Sequence, residues 1–404
     1  MKKKRSQAME VVLIFGLISM FGDIIYEAAR GVNSQYFSLL GISATRVGLV
    51  FGLGEFIGYG LRLLAGYWSD KSHRHWAFIF IGYGFLLVVP LMGFSQEWNF
   101  LVVLVLLERL GKALRNPSKD TILSNVANQD LGLGMAFGLQ EALDQVGAFL
   151  GPLIFTLVFS LRGQQDIASY QTGYRLLLLP FVLLMALVYA SYQKMQKDPQ
   201  LSQIQERKRT PDQVQGLFWT YTFFIFFTSL GFANFAIIGY HLKTQNLMAD
   251  STITLIYAMA MGVDALAALA VGKAYDWLKE RTQTQTGGIL LLVFIPVLTF
   301  FLPLLNLSHS LPLIIMGMVL WGLVMGSHET IMKSAIGDLV PFSKRGRGYG
   351  IFNTAYGLAL FLSSYLMGLL YDLGGFWPIL LLSLGAESLA LYFYYRIRQK
   401  IQTS

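Results

Sequence analysis

Long apolar runs separated by short polar segments follow one another along the whole chain. Each run is long enough to cross the hydrocarbon core of a bilayer as a helix, which takes about 20 residues. The pattern predicts twelve helices, at 9–38, 45–68, 77–94, 99–115, 134–160, 174–193, 216–240, 252–273, 287–305, 312–332, 349–371 and 377–395. We therefore expect an all-α membrane protein. The first helix could end early, because polar residues follow Arg30.

Composition excludes a soluble protein. The 404 residues are 54% hydrophobic and 13% charged, and the mean hydropathy is +0.53, which leaves too few charges to cover a water-exposed surface. The absence of cysteine from the sequence excludes disulfides, thiolate chemistry and cysteine-bound metals. The basic start followed by an apolar run resembles a signal peptide, but no small-residue cleavage site precedes Asp23. We expect an uncleaved first span.

The positive charges predict the orientation. The chain carries 31 Lys and Arg and a net charge of +8, and most of these cations flank the helices on one side if both termini are cytoplasmic. Because cytoplasmic loops are enriched in Lys and Arg, we expect both termini inside, in a cell membrane that is the inner membrane of a prokaryote. The net charge then reflects topology and contact with anionic lipid, and we expect no nucleic-acid binding.

One polar segment divides the chain into two halves of six helices. We predict an N-terminal bundle at 1–193, a cytoplasmic linker at 194–215 and a C-terminal bundle at 216–404. Short motifs recur across the linker, since the spacing from Gly66 to Asp70 returns from Gly272 to Asp276. Two pseudo-symmetric bundles are typical of transporters built from parallel repeats.

The loop after the second predicted helix carries a family resemblance. Residues 66–75 read Gly-Tyr-Trp-Ser-Asp-Lys-Ser-His-Arg-His, which resembles the signature Gly-x-Leu-Ala-Asp-Arg-x-Gly-Arg-Arg of the major facilitator superfamily. His73 stands in the place of the second glycine. The identical positions, together with a lysine that keeps the charge, are Gly66, Asp70, Lys71 and Arg74.

The resemblance covers the whole chain and gives this loop a role. It implies that Asp70 approaches the start of the fifth helix, near Gly134, where a carboxylate is favoured, and that the cations brace a cytoplasmic gate. Gly272 and Asp276 would act likewise in the second half. A basic loop placed by topology alone would explain the cations but not the repeated spacing.

The fifth predicted helix carries a second motif, with the spacing Gly-x8-Gly-x3-Gly-Pro. It resembles the helix-5 motif of antiporters in the family, although Phe155 and Thr156 replace its final two glycines. The motif favours export by exchange, whereas ordinary packing of small residues is the alternative interpretation. The matching positions are Gly138, Gly147, Gly151 and Pro152.

The first helix carries candidate coupling residues. Asp23, Glu27 and Arg30 share one helix face, and a charge near the bilayer centre costs roughly 2.5–3.5 kcal/mol, so this face should turn away from lipid. Two close carboxylates rarely both stay ionised, which predicts a proton carrier. Pairing of both carboxylates with Arg30 or Arg109, or a metal cation, are the alternatives. Glu141 and Asp144 form a second candidate pair.

Polar residues in the second half are further candidates for the cavity. In the family that the chain resembles, helices 1, 4, 7 and 10 line the cavity and helices 2, 5, 8 and 11 flank it. His328 combines a group that titrates near neutrality with the adjacent Glu329, although a lone helical histidine is more often a satisfied hydrogen-bonding group. The other candidates are Asn234, Asn353 and Tyr356.

These patterns favour a secondary active transporter that works by alternating access. We expect proton-coupled efflux of a small organic solute, with proton-coupled uptake or passive uniport of a charged metabolite as alternatives. Enzyme motifs and phosphate-binding loops are absent from the sequence, so we expect no catalytic residues, no cofactor and no metal. The expected partners are membrane lipid, a small-molecule substrate and protons, and we expect a monomer.

Overall fold

The computed structural model describes residues 2–130, 133–163, 166–196, 216–283, 287–339 and 345–402, with the side chains of 2–8, 124–137, 287, 332–334, 336–349 and 401–402 left out. Nearly all described residues are helical. The helices are α1 (Lys2–Arg30), α2 (Asn33–Leu39), α3 (Ala44–Gly60), α4 (Arg62–Ser72), α5 (His75–Gly84), α6 (Val88–Leu91), α7 (Trp98–Asp130), α8 (Leu133–Arg162), α9 (Ile167–Leu176), α10 (Leu178–Gln196), α11 (Gly216–Gly231), α12 (Phe235–Thr244), α13 (Asp250–Thr282), α14 (Phe294–Asn306), α15 (Leu311–Leu339), α16 (Arg345–Gly374) and α17 (Phe376–Gln402). Short 3-10 segments lie at Phe85–Leu87, Met92–Phe94 and Gly287–Val293.

The spans match the apolar runs of the sequence. Within the described ranges, eleven helical stretches are long and apolar enough to cross a membrane. The one remaining predicted span is the fourth, which lies in α7; this helix is as long as the others but carries charged residues from Glu108 onward. The prediction of an all-α membrane protein is confirmed.

The predicted fourth helix, 99–115, is too short. Helix α7 runs to Asp130 with Pro117 inside it. Its charged residues continue the helix, because Glu, Lys and Arg are good helix formers. Arg109, Arg115 and Lys119 are buried. Lys119, which lies beyond the predicted end of this helix at 115, is an interior residue.

Several predicted spans consist of two helices. The first is divided between α1 and α2 and the second between α3 and α4, at Leu61. The seventh is divided at 232–234, between α11 and α12.

The connection between α8 and α9 lies outside the spans. There the Asp166 side chain accepts hydrogen bonds from the hydroxyl (2.7 Å) and the backbone N–H (2.9 Å) of Ser169. These hydrogen bonds lower the pKa of the Asp166 carboxyl.

The first compact unit comprises Met1–Tyr36 and Leu61–Arg207. In it α1 packs along α8, and α7 packs against α5, α4 and α1. Helices α5 and α7 cross at two glycines, because a Cβ on Gly82 would lie 2.7 Å from the Gly111 carbonyl and a Cβ on Gly111 would lie 2.7 Å from the Gly82 carbonyl. This close crossing brings the basic face of α7 into the interior.

The second compact unit comprises Phe37–Gly60 and Lys208–Ser404. In it α3 packs along α16, α13 along α15, and α11 along α17. Small residues permit the first of these contacts, since a Cβ on Gly52 would lie 2.7 Å from the Phe361 carbonyl. Helix α3 thus lies in the second unit although it comes from the first half of the sequence. The boundaries at 193 and 215 stay a prediction, because residues 197–215 lie outside the described residues.

Candidate transport site

The acidic face of α1 turns into the first unit. Glu27 is buried, and its Oε1 lies 3.4 Å from an Nη of Arg30. Asp23 is half-buried one turn away. The cation that pairs with Glu27 therefore lies on the same helix. The cations that act on Asp23 lie on another helix, α7.

Helix α7 supplies cations to this interior. Lys119 donates from Nζ to Oγ of Ser19 at 2.6 Å. Arg109 donates to the Tyr26 hydroxyl and lies 3.3 Å from a Glu108 carboxylate oxygen. Lys112 places its Nζ 3.8 Å above the centre of the Tyr26 ring. These contacts hold about three turns of α7 against α1.

Asp23 meets charged groups from both α7 and α8. Asp144 and Glu27 act on it as like charges, and Lys112 and Lys119 act as opposite charges. Asp144 accepts a hydrogen bond from Nε2 of Gln140 at 3.3 Å, and Glu141 acts on Asp144 in turn. The structure thus places Asp144 near Asp23 in addition to Glu27, which follows Asp23 by one turn on the same helix. We name Asp23, Asp144, Lys112 and Lys119 the charged cluster.

The second unit carries a break at 232–234, between α11 and α12. Backbone groups freed by such a break need partners, because the bilayer core holds no water. The Gly231 carbonyl accepts from Oγ of Ser383 at 3.0 Å, and the Phe232 carbonyl accepts from Oγ of Ser363 at 2.8 Å. The Ala233 carbonyl accepts from Nε1 of Trp321 at 3.0 Å.

Asn234 is explained by this break. Its Oδ1 accepts from the backbone N–H of Ile237 at 3.3 Å, so it caps the N-terminus of α12. Its Nδ2 donates to Oγ of Ser364 on α16. The predicted cavity residue is therefore part of the local structure that lets the span change direction.

Helices α15 and α16 carry the other predicted residues of this unit. The buried His328 ring stacks on Phe232 at 5.9 Å between ring centres. Tyr356 packs edge-on against Tyr59 at 4.8 Å. Glu329 and Asn353 are half-buried on α15 and α16.

The loop motif occupies the end of α4. A Cβ on Gly66 would lie 3.4 Å from Cβ of Pro117, so Gly66 faces α7. Asp70, Lys71 and Arg74 are exposed. The predicted contact of Asp70 with the helix start near Gly134 involves side chains outside the described residues. In the second unit, Gly272 faces Thr330 of α15 at 3.5 Å, and Asp276 is exposed.

Buried hydrogen bonds around this loop are a feature that the motif did not predict. Nδ1 of His75 lies 2.6 Å from Oγ of Ser69, and that hydroxyl lies 2.7 Å from Oγ of Ser118. The three residues tie α4, α5 and α7 together. His75 stands where the family signature has an arginine, and a buried histidine with hydroxyl partners serves packing rather than charge.

The helix-5 motif lies at the crossing of α8 and α1. A Cβ on Gly147 would collide with the Met20 carbonyl, and one on Gly151 would lie 2.5 Å from the Ile24 carbonyl. Pro152 lies inside α8. In the described part of the chain, a Cβ on Gly138 would have no neighbour within 4 Å. Gly147 and Gly151 of the motif therefore permit the close contact between α8 and α1, whereas Gly138 takes no part in it.

Comparisons with known proteins agree with this architecture. The family model described as Major Facilitator Superfamily matches residues 11–362 and 288–402. The chain is 31% identical over 397 residues to an uncharacterized protein of Mycobacterium tuberculosis, covering 97% of this chain and 93% of that protein. It is 25% identical over 373 residues to an uncharacterized MFS-type transporter of Methanocaldococcus jannaschii, covering 90% and 88%.

Solved structures show the same fold. A mutant form of the nucleoside transporter NupG matches with a TM-score of 0.72 and 12% identity, over 96% of this chain and 99% of that chain. A bacterial homolog to the human lysosomal transporter Spinster, inward-facing and unoccupied, matches with a TM-score of 0.69 and 13% identity, over 100% and 98%. At such identities the likeness shows the fold alone.

Proposed function

Because this chain belongs to the Major Facilitator Superfamily, we propose that it exports a small polar or charged organic solute in exchange for protons. The chain is a multi-pass membrane transporter of the secondary type, and not an enzyme. Our proposal adds three points to this family assignment: proton coupling, the outward direction of transport, and a prokaryotic cell membrane with both termini on the cytoplasmic side.

The proposal of proton coupling rests on one observation, the charged cluster inside the first unit. Asp144 disfavours a second negative charge on Asp23, whereas Lys112 and Lys119 stabilise it. These three groups lie on α7 and α8, and Asp23 lies on α1. A small shift of α7 relative to α1 therefore changes whether Asp23 holds a proton, which is the link between protonation and conformation that exchange requires.

The helix-5 motif supports exchange as the mode of transport. Gly147 and Gly151 bring the backbone of α8 against α1, so the helix that carries Asp144 and the helix that carries Asp23 are in direct contact. A movement of α8 is passed to Asp23 without intervening side chains. In the family, the matching motif belongs to antiporters.

The first prediction tests this proposal with Asp23→Asn and Asp144→Asn. The substrate is first identified by screening solutes for a rise in melting temperature of the purified protein, since a ligand stabilises the folded state by mass action. In inside-out vesicles with an acidic lumen, both variants should fail to accumulate the labelled solute. Both should keep exchange of labelled for unlabelled solute, which needs no net proton movement.

Glu97→Gln is the control, because it removes an exposed carboxylate of the same unit. It should accumulate solute as the unsubstituted protein does. Accumulation that survives in Asp23→Asn and Asp144→Asn would remove proton coupling from the cluster and favour uniport. Accumulation driven by the opposite gradient would replace export with uptake.

A further inference from the structure

Glu387, in the middle of α17, is a carboxyl group that the charged cluster does not include. It lies within the membrane span Phe376–Lys400 and is 2% exposed. Its Oε2 accepts a hydrogen bond from Oγ1 of Thr228 at 2.8 Å. Its Oε1 has no hydrogen-bond partner within the described part of the chain.

The carboxyl group is inserted at the break between α11 and α12. Thr228 lies in the last turn of α11, and a Cβ on Gly231 would collide with Oε1 of Glu387. The neighbouring hydroxyl of Ser383 is already committed to the Gly231 carbonyl. Glycine at 231 therefore makes room for the carboxyl group, and the Ser383 hydroxyl serves the backbone instead of Glu387.

Cationic partners are lacking around Glu387 among the described side chains. Helix α11 offers Tyr221 as its titratable group, and α14 and the 3-10 segment Gly287–Val293 offer none. His328 of α15 stacks on Phe232 at the same break. On α16 the described titratable residues are Tyr356, Tyr365, Tyr371 and Asp372, and none of these groups forms an ion pair with Glu387.

An ionised carboxylate in this position would be buried with one hydrogen bond and no counter-ion, which is strongly disfavoured. We propose that Glu387 is a second proton-binding site of this transporter, with the proton bound in the conformation described. When α11 moves at its break and the contact with α17 opens, water reaches the carboxyl group. The O–H bond then breaks, its electron pair stays on the carboxylate and the proton passes to water.

This inference rests on the proposed function for its role in transport, but the site itself is tested without transport. A protonated carboxylic acid has an infrared C=O stretching band that an ionised carboxylate lacks. In the purified protein at neutral pH, Glu387→Gln should remove one such band. Glu280→Gln, at an exposed carboxylate of α13 in the same unit, should leave the protonated-acid bands unchanged.

Thr228→Val is the second variant, and it keeps the test decisive if Glu387→Gln does not fold. A hydrogen bond to the acid weakens its C=O bond, so loss of the Thr228 hydroxyl should move the band to higher frequency. A spectrum of Glu387→Gln that retains every protonated-acid band overturns the proposal. So does an unmoved band in Thr228→Val.

The two proposals fail in different ways. If solute accumulation does not need a proton gradient but the Glu387 band is found, the site stands as a buried neutral acid and proton exchange falls. If Asp23→Asn stops gradient-driven accumulation but Glu387→Gln loses no band, coupling stays in the first unit and the second site is wrong.

Discussion

At the scale of single residues, the departure from the family signature at His73 has a structural cost. His73 ends α4 in the left-handed region, with a φ of 53°, and its N–H points to the Asp70 carbonyl at 3.4 Å. A Cβ in this conformation is unfavourable by roughly 1–2 kcal/mol. Glycine adopts it freely, which gives a physical reason for the glycine at this place in the signature.

Replacing His73 by glycine should therefore stabilise the protein. We expect a gain of roughly 0.5–1 kcal/mol, because relief of the left-handed strain exceeds the entropy that glycine adds to the unfolded chain. The measurement is the melting temperature of the purified protein in detergent. His73→Ala keeps the Cβ while removing the imidazole, so it should not give the gain. Equal melting temperatures for the glycine and alanine variants would refute the strain argument.

Single residues also mark where sequence reasoning succeeds and fails. Asp23 and Asp144 were both predicted as candidates, because a carboxylate in an apolar helix is conspicuous. The sequence did not predict that these two carboxylates lie near each other and near Lys112 and Lys119, because this depends on how α1, α7 and α8 cross. Glu387 was missed as a candidate, since a lone acid with only serines as polar neighbours on its helix turn matches no motif.

At the scale of elements, helix ends and breaks depend on partners that are distant in the sequence. Asp372 of α16 accepts from the backbone N–H of Ala44 at 3.2 Å, and from the N–H at 2.7 Å and the hydroxyl at 2.6 Å of Thr45. It therefore caps the N-terminus of α3 across 328 positions of the chain. A sequence pattern detects caps that lie next to their helix, but not this one.

The Asp372 cap predicts a measurable local effect. In Asp372→Ala the first amides of α3 lose their acceptor, at a cost of about 1 kcal/mol. Hydrogen–deuterium exchange of a peptide covering residues 44–47 should then be roughly 5-fold faster. A peptide from α13 is the internal control, because the backbone N–H groups that donate to Asp372 lie in α3. Unchanged exchange at the start of α3 would mean that the cap does not hold this end in solution.

At the scale of the whole molecule, the bilayer explains why so much of the fold could be predicted. Apolar length determines which runs span, so the helix pattern followed from the sequence. The break at 232–234 could not be predicted from the sequence, because its freed carbonyls accept hydrogen bonds from Ser363, Ser383 and Trp321, which come much later in the chain. The placement of α3 in the second unit could not be predicted either, because it depends on the contact of α3 with α16.

Topology is the prediction that belongs to this scale. The polar segment 194–215 contains Pro199, Pro211 and five basic residues, and the Lys and Arg excess places it on the cytoplasmic side. Protease added to inside-out vesicles should cut there, and protease added outside right-side-out vesicles should not. Tags on both ends should be accessible in the inside-out preparation alone, because an even number of spans returns the chain to its starting side.

Two results would contradict this topology. Cleavage of 194–215 from the outer face would reverse the orientation and turn the basic loop at Lys71 and Arg74 outward, which would remove its interpretation as a cytoplasmic gate. Tags on opposite faces would mean an odd number of spans. Since eleven stretches are apolar enough to span on their own, the helix in doubt would then be α7. Its cations Arg109, Arg115 and Lys119 are buried in the first unit, where α7 packs beside α1 and α5. The proton-coupling proposal needs α7 to cross the membrane in this position, so it depends on an even number of spans.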